Sequence, residues 1–150
     1  VTATVVAHRP RALIDVNVVL DVLQRRESHF YDSARVMGAA ETGRCRGLLA
    51  AHSVATLFYL LARHDSPGAA RVHLTSLLQY LDVAPVDGGV VQRSLALPYA
   101  DLEDAVQMMA AASSGADFVV TRNTGDFLAG PLPAVNPAEF MALLDWPAED

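Results

Sequence analysis

Asp15, Asp101, Asp104 and Asp126 are carboxylates at the margins of apolar runs, with Asn17, Thr121, Arg122 and Asn123 beside them. Asp15 follows Ala12-Leu13-Ile14, and Thr121-Arg122-Asn123 follows Phe118-Val119-Val120, with Asp126 three residues further on. Asp101 and Asp104 open a helical stretch and, being three apart, share one of its faces, whereas Glu103 points away. Carboxylates gathered in a desolvated crevice repel one another, and such a group persists when a divalent cation neutralises it. Oxygen donors suit Mg²⁺ or Mn²⁺, and magnesium keeps several waters while taking only one or two protein carboxylates directly. A cation so held acidifies a bound water and stabilises charge developing on a phosphodiester. The chemistry implied is hydrolysis of nucleic acid.

Each acid also has an ordinary structural role to set beside that one. Asp101 can be a helix N-cap, Asp104 a favourable partner of the helix dipole, and Asp126 a turn residue after Gly125. Asp15 has the weakest such alternative, because the tip of a buried strand is a costly place for an unpaired charge. Asp21, six residues on in the first helix, reads as a solvated or capping side chain, and Asp117 as a turn residue entering a strand. The histidines form no metal-binding pair one helical turn apart, His52-Ser53 lacks the glycines of a nucleophile elbow, and no phosphate-cradling glycine loop is present.

The elements that must position the acids are short strands alternating with helices. Strands are expected at Ala12-Leu13-Ile14, Gly47 to Ala50, Val83 to Val86, Phe118 to Thr121 and Ala134-Val135. Helices are expected after Asp15, from Phe30 to Ala40, Ser53 to Ala62, Pro67 to about Tyr80, Asp87 to Pro98, Asp101 to Ser114 and Ala138 to Leu144. This alternation specifies an α/β fold with a mainly parallel sheet covered on both faces. In such sheets ligands sit beyond the carboxyl ends of the strands, where Asp15 and Thr121-Arg122-Asn123 fall.

Composition narrows the function classes. The chain has 150 residues, 52% of them apolar, enough for one full core. Residues 11–145 read as a single domain, with 1–10 as a frayed tail and 146–150 as a C-terminal tail. Val1 to Ala7 is apolar without a basic lead-in, unlike a secretory signal. A single cysteine, Cys45, excludes an internal disulfide and fits a reducing cytoplasm. The apolar stretch from Gly47 to Ala62 is too short to span a bilayer and is interrupted by His52, Ser53 and Thr56, so no membrane association is expected. The net charge of −6 argues against sequence-independent coating of nucleic acid, though not against an enzyme gripping it through a cation and a few arginines. All eleven basic residues are arginine. The absence of lysine argues against receiver domains and haloacid-dehalogenase phosphatases, which also gather acids at strand tips but need a lysine near the phosphate.

Four blocks resemble the PIN domain family, including the toxin ribonucleases called VapC. They are Ala12-Leu13-Ile14-Asp15-Val16-Asn17, Ser53-Val54-Ala55-Thr56-Leu57-Phe58-Tyr59, Asp101-Leu102-Glu103-Asp104-Ala105 and Thr121-Arg122-Asn123-Thr124-Gly125-Asp126-Phe127. The resemblance runs from about Arg11 to Leu144 in the family's order. It implies a three-layer fold around a five-stranded sheet, and an Mg²⁺- or Mn²⁺-dependent endoribonuclease that is the toxin half of a toxin–antitoxin pair. It further implies Asp15 and Asp104 as principal metal ligands and Asp126 as completing the acidic group. Asn123 stands at the place of a frequent fourth aspartate, Asn17 orients Asp15, and Thr121 offers a hydroxyl. Arg122 contacts RNA phosphate or pairs with a nearby acid. The implied partners are RNA, a small antitoxin and a second copy of the chain. The helices around Phe30 and Leu57 to Leu61 offer a dimer face, though core burial explains them more simply. Two positions depart from the family. Val16 replaces a common threonine, and Leu57 stands where a glutamate is usual; leucine can neither ligate a cation nor position a water. That second departure motivates the alternative of a PIN-fold binding module with weakened or lost turnover.

Overall fold

The computed structural model describes residues 9–146. Of the tails expected at 1–10 and 146–150, residues 1–8 and 147–150 lie outside the described residues. From Pro10 the chain is tied to the sheet, the Pro10 carbonyl accepting from the Arg46 N–H at 2.8 Å. Five strands, β1 (Arg11–Ile14), β2 (Arg46–Ala50), β3 (Leu81–Ala84), β4 (Phe118–Val120) and β5 (Ala134–Val135), form one sheet in the order β3-β2-β1-β4-β5. Every pairing is parallel. The chain therefore builds outward from β1 through β2 to β3, then returns to the other side of β1 for β4 and β5. That reversal leaves a crevice between the carboxyl ends of β1 and β4.

Helices cover both faces because adjacent strand residues point opposite ways. Ala12, Ile14, Leu49 and Val120 enter one cluster with α1 (Val16–Leu23), α2 (Phe30–Glu41), α3 (Ala51–His64), α4 (Pro67–Leu77) and α7 (Pro137–Asp145). Leu13, Leu48, Ala50 and Val119 enter the other, with α5 (Gly88–Leu95) and α6 (Leu102–Ser113). Leu57 and Leu61 are buried in the first cluster, so core packing accounts for most of the apolar stripe on α3. No helix among the described residues is long and apolar enough to cross a membrane.

The expected elements are present, with one shift of register. The third strand was expected at Val83 to Val86 but occupies Leu81–Ala84. Pro85 has no N–H and ends the ladder, while Leu81 pairs with Gly47 and is buried. The preceding helix accordingly stops at Leu77 instead of Tyr80. Gly47 is required at that crossing. A Cβ there would stand 2.6 Å from Leu81 Cδ2 and 3.2 Å from both Ala40 Cβ and Ile14 Cδ1. Gly47→Ala is therefore expected to destabilise the protein by about 1–3 kcal/mol through overpacking, read as a lower melting temperature with an unchanged far-ultraviolet spectrum. An unaltered melting temperature would show that the helix and edge strand yield freely there.

Candidate active site

Asp15 stands one residue beyond β1, and its N–H continues the ladder to the Val120 carbonyl at 2.9 Å. Its side chain is buried, 4% exposed, at the crevice where the sheet reverses. Two side chains hold it there. Thr121 Oγ1 donates to Asp15 Oδ2 at 2.9 Å, and Gln107 Nε2 donates to Asp15 Oδ1 at 3.1 Å. Thr121 Oγ1 in turn accepts the Asn123 N–H at 3.1 Å, joining the tips of β1 and β4 through one hydroxyl. Burial raises the Asp15 carboxyl above the usual range, opposed by the bonds from Gln107 and Thr121, the Val16 N–H and the charge of Arg122.

The α6 N-terminus brings the next acids. Asp101 caps the helix, its Oδ1 accepting the Glu103 N–H at 2.9 Å, so its ordinary role is real. Asp104 and Gln107 are three apart on one face of α6. Because Gln107 reaches Asp15, Asp104 stands beside it. Asp126 lies in a short 3-10 helix over Thr124–Phe127, following the tip of β4. Asp101, Asp104 and Asp126 line one open cleft of about 520 Å³, together with Tyr99, Gly125 and Leu128. Asp15 stands beneath Asp104 instead of on that surface.

The electrostatic consequence falls on Asp104. Burial, and then the charges of Asp101, Asp15, Asp126 and Glu103, push its carboxyl up to about 7. Tyr99 beside it is raised by burial and by the Asp104 charge, and its Oη donates to the Phe127 carbonyl at 2.9 Å. Since Asp104 titrates higher folded than unfolded, the native state binds more protons between these two values. The metal-free protein should thus lose stability as pH rises from about 4 to 7, with Asp15 acting in the same direction. Melting curves over that range, with chelator, should descend; a rise would place the dominant titration elsewhere.

The oxygen-only donor set suits a hard divalent cation, and a cation would relieve the repulsion recorded at Asp104. No three His, Cys, Asp or Glu side chains among the described residues stand close enough to share an ion directly. The arrangement accordingly fits magnesium's habit of taking one or two carboxylates and reaching the others through water. Asp15 and Asp104 are the residues that could hold it directly, with Asp126 and Asp101 at the cleft completing the negative field.

Other expected site residues are placed differently. Asn17 does not orient Asp15 as expected; its Oδ1 accepts from Arg26 Nη1 at 3.4 Å, and Gln107 and Thr121 do the orienting. Asn123 is exposed at the start of the short 3-10 helix. Arg122 pairs with an acid, Nε lying 2.9 Å from Asp21 Oδ2. That acid corrects another reading, because Asp21 is neither solvated nor a cap but fully buried. It also accepts from Ser33 Oγ at 3.0 Å, and Arg26 Nη1 lies 3.8 Å from Oδ1. Leu57 is fully enclosed in the main core. Gln107 and Tyr99 carry no charge at neutral pH and sit inside helix or loop patterns, so residue type alone did not mark them. The three-residue spacing of Gln107 from Asp104 was the available signal.

A five-stranded parallel sheet with aspartates gathered where its strand order reverses defines an α/β domain with an acidic site at the strand tips. The model of the PIN domain family matches residues 11–125, and the chain belongs to that family. Its fold is shared with VapC and FitB toxin structures. A toxin–antitoxin complex from Klebsiella pneumoniae matches with a TM-score of 0.64 and 21% identity, over 84% of this chain and 97% of that one. FitAcB from Neisseria gonorrhoeae matches with a TM-score of 0.63 and 19% identity, over 85% and 98%. The sarcin-ricin loop cleaving toxin VapC20 of Mycobacterium tuberculosis matches with a TM-score of 0.57 and 13% identity, over 72% and 86%. A comparison with the curated proteins finds no match.

Proposed function

We propose that this protein is an Mg²⁺- or Mn²⁺-dependent endoribonuclease and the toxin of a toxin–antitoxin pair. The observation that carries the reading is the gathering of Asp101, Asp104 and Asp126 at one cleft above Asp15, where burial and the neighbouring charges push the Asp104 carboxyl up to about 7. Asp15, the most buried of these acids, is kept at the sheet's reversal point by directed bonds from Thr121 and Gln107. RNA as the substrate is supported by the solved relative described as cleaving the sarcin-ricin loop, and an antitoxin partner by relatives solved as toxin–antitoxin complexes.

Asp15 and Asp104 would hold the cation, which when bound supplies positive charge to a phosphodiester and lowers the pKa of water. The other groups act around the phosphate. Asp126, exposed at the cleft, would accept a hydrogen bond from a water that attacks phosphorus as the P–O bond to the leaving ribose oxygen breaks, the water's proton passing to that oxygen through solvent. Thr121 and Gln107 fix the Asp15 carboxylate and oppose part of the upward push of its burial. The amide of Asn123, exposed at the start of the same short helix, would meet a sugar or phosphate oxygen of the bound strand. Arg122, tethered to Asp21, contributes its charge to the same rim without moving freely.

Leu57 favours a second reading, a PIN-fold module that binds RNA or protein without turnover. Its enclosure in the core means that α3 brings no carboxylate to the site from that position. One experiment separates the two. Purified protein is incubated with single-stranded and structured RNAs, with Mg²⁺ or Mn²⁺ and with chelator. Cleavage that requires the cation is the expected result. Cleavage persisting in chelator contradicts the proposed chemistry, and cation binding without cleavage of any RNA supports the binding module.

A further inference from the structure

Gln107 has a feature that orienting Asp15 does not use. Its side chain is buried, 1% exposed, and Nε2 is committed to Asp15 Oδ1 at 3.1 Å. An ionised carboxylate only accepts, so this bond fixes which end of the carboxamide faces Asp15. The other end, Oε1, is buried without a hydrogen-bond partner. A buried carbonyl oxygen left alone costs free energy, and natural structures supply it with a protein donor, a water or an ion. Here no protein donor reaches it, while Asp15 lies on one side and Asp104 one helical turn before it on the same face of α6.

We infer that Gln107 Oε1 is an oxygen donor to the divalent-cation site, directly or through one of the ion's waters. The inference rests on the proposed cation site and adds a ligand to it. Side-chain amide oxygens are hard donors of the kind such cations accept. A neutral donor also suits a site already crowded with charge. It completes the oxygen set without adding a further repulsive term to Asp104, which four acids already oppose. The same carboxamide thus serves two ends, its N–H on the ligand Asp15 and its oxygen toward the ion. That arrangement explains why an amide, and not an apolar residue, occupies a buried position on the core face of α6.

The test is Mn²⁺ binding, titrated by electron paramagnetic resonance on the intact chain, with circular dichroism and melting curves as folding controls. Gln107→Met keeps the length and volume but removes the oxygen, and it should weaken Mn²⁺ binding by about tenfold or more, in the range seen when groups supporting a metal are lost. Gln107→Glu keeps an oxygen but loses the N–H, and it should bind Mn²⁺ at least as tightly as wild type. If the residue serves only as a donor to Asp15, Gln107→Glu will bind as weakly as Gln107→Met or worse, and the inference is overturned. If Oε1 is merely satisfied by a water, Gln107→Met will bind like wild type, which overturns it equally. Wild type that binds no Mn²⁺ at all removes the cation site itself, and the inference with it. These outcomes keep failure of the ligand distinct from failure of the site.

Discussion

Asp104→Asn should abolish the stabilisation that Mn²⁺ confers on the protein and lower RNA cleavage by roughly 10²–10³-fold, while making the metal-free protein more stable at pH 8. The magnitudes follow from where the residue sits. Asp104 is pushed up to about 7 by burial and by four neighbouring acids, so above that pH the metal-free fold retains a charge it disfavours. Asparagine keeps the shape and removes the charge, hence the gain in stability. The same charge is what a cation would meet. At a free concentration one hundred times its Kd, Mn²⁺ should stabilise the wild type by about 2.7 kcal/mol. For a chain of this size that is a rise of roughly 5–10 °C in melting temperature. The loss of cleavage has the size seen when one preorganised electrostatic contact to a transition state is removed. Melting curves with Mn²⁺ and with chelator, set beside an RNA cleavage time course, check all three effects together. Should Asp104→Asn cleave RNA like the wild type, or wild-type melting ignore Mn²⁺, the acidic cluster has another purpose.

Much of the frame for this site was legible in the sequence. Apolar runs such as Ala12-Leu13-Ile14 and Phe118-Val119-Val120 can only be buried on both faces, which means a parallel interior strand, and they became β1 and β4 at the centre of the sheet. Once those strands are parallel neighbours, the residues just past them must share a rim, so Asp15 and Thr121 meet by geometry. Helix starts were legible where a side chain performs a local task. Ser66 accepts the Ala69 N–H at 3.1 Å, and Asn136 and Glu139 form a reciprocal capping box at the start of α7.

What escaped the sequence was set by long-range partnership. Asn17 lies two residues from Asp15 and looks like its natural support, yet α1 turns it toward Arg26. The side chain that does support Asp15 is Gln107, ninety-two positions away. Asp21 escaped for the same reason. On a helix surface an aspartate is ordinarily solvated, and only the packing of α2 and the tip of β4 against α1 converts it into a buried acceptor for Ser33 and a counter-charge for Arg122. Polar residues that serve the interior carry no periodic signature, because their partners come from other elements. The pattern of apolar residues reports where the core is, and it is silent on which polar groups are drawn into it.

Asp21→Ala should be the most destabilising of the single substitutions considered, by about 3–5 kcal/mol, the usual cost of removing one member of a buried ion pair. Asp21 has no exposed surface, and three groups converge on it. Alanine would leave the Ser33 hydroxyl without its acceptor and the Arg122 side chain, 22% exposed, without its counter-charge. In a protein of this length the loss corresponds to a fall of about 10 °C or more in melting temperature. Arg122 lies between Thr121 and Asn123, so freeing it also loosens the strand tip that positions Asp15. Cleavage measured well below the melting temperature should therefore drop as well, by less than for Asp104→Asn. A double-mutant cycle isolates the pair from the hydroxyl. Asp21→Ala combined with Arg122→Leu removes both charges together, and it should cost less than the sum of the two single changes. If the two costs simply add, the pair is not coupled, and Asp21 stabilises the fold only through Ser33 and Arg26.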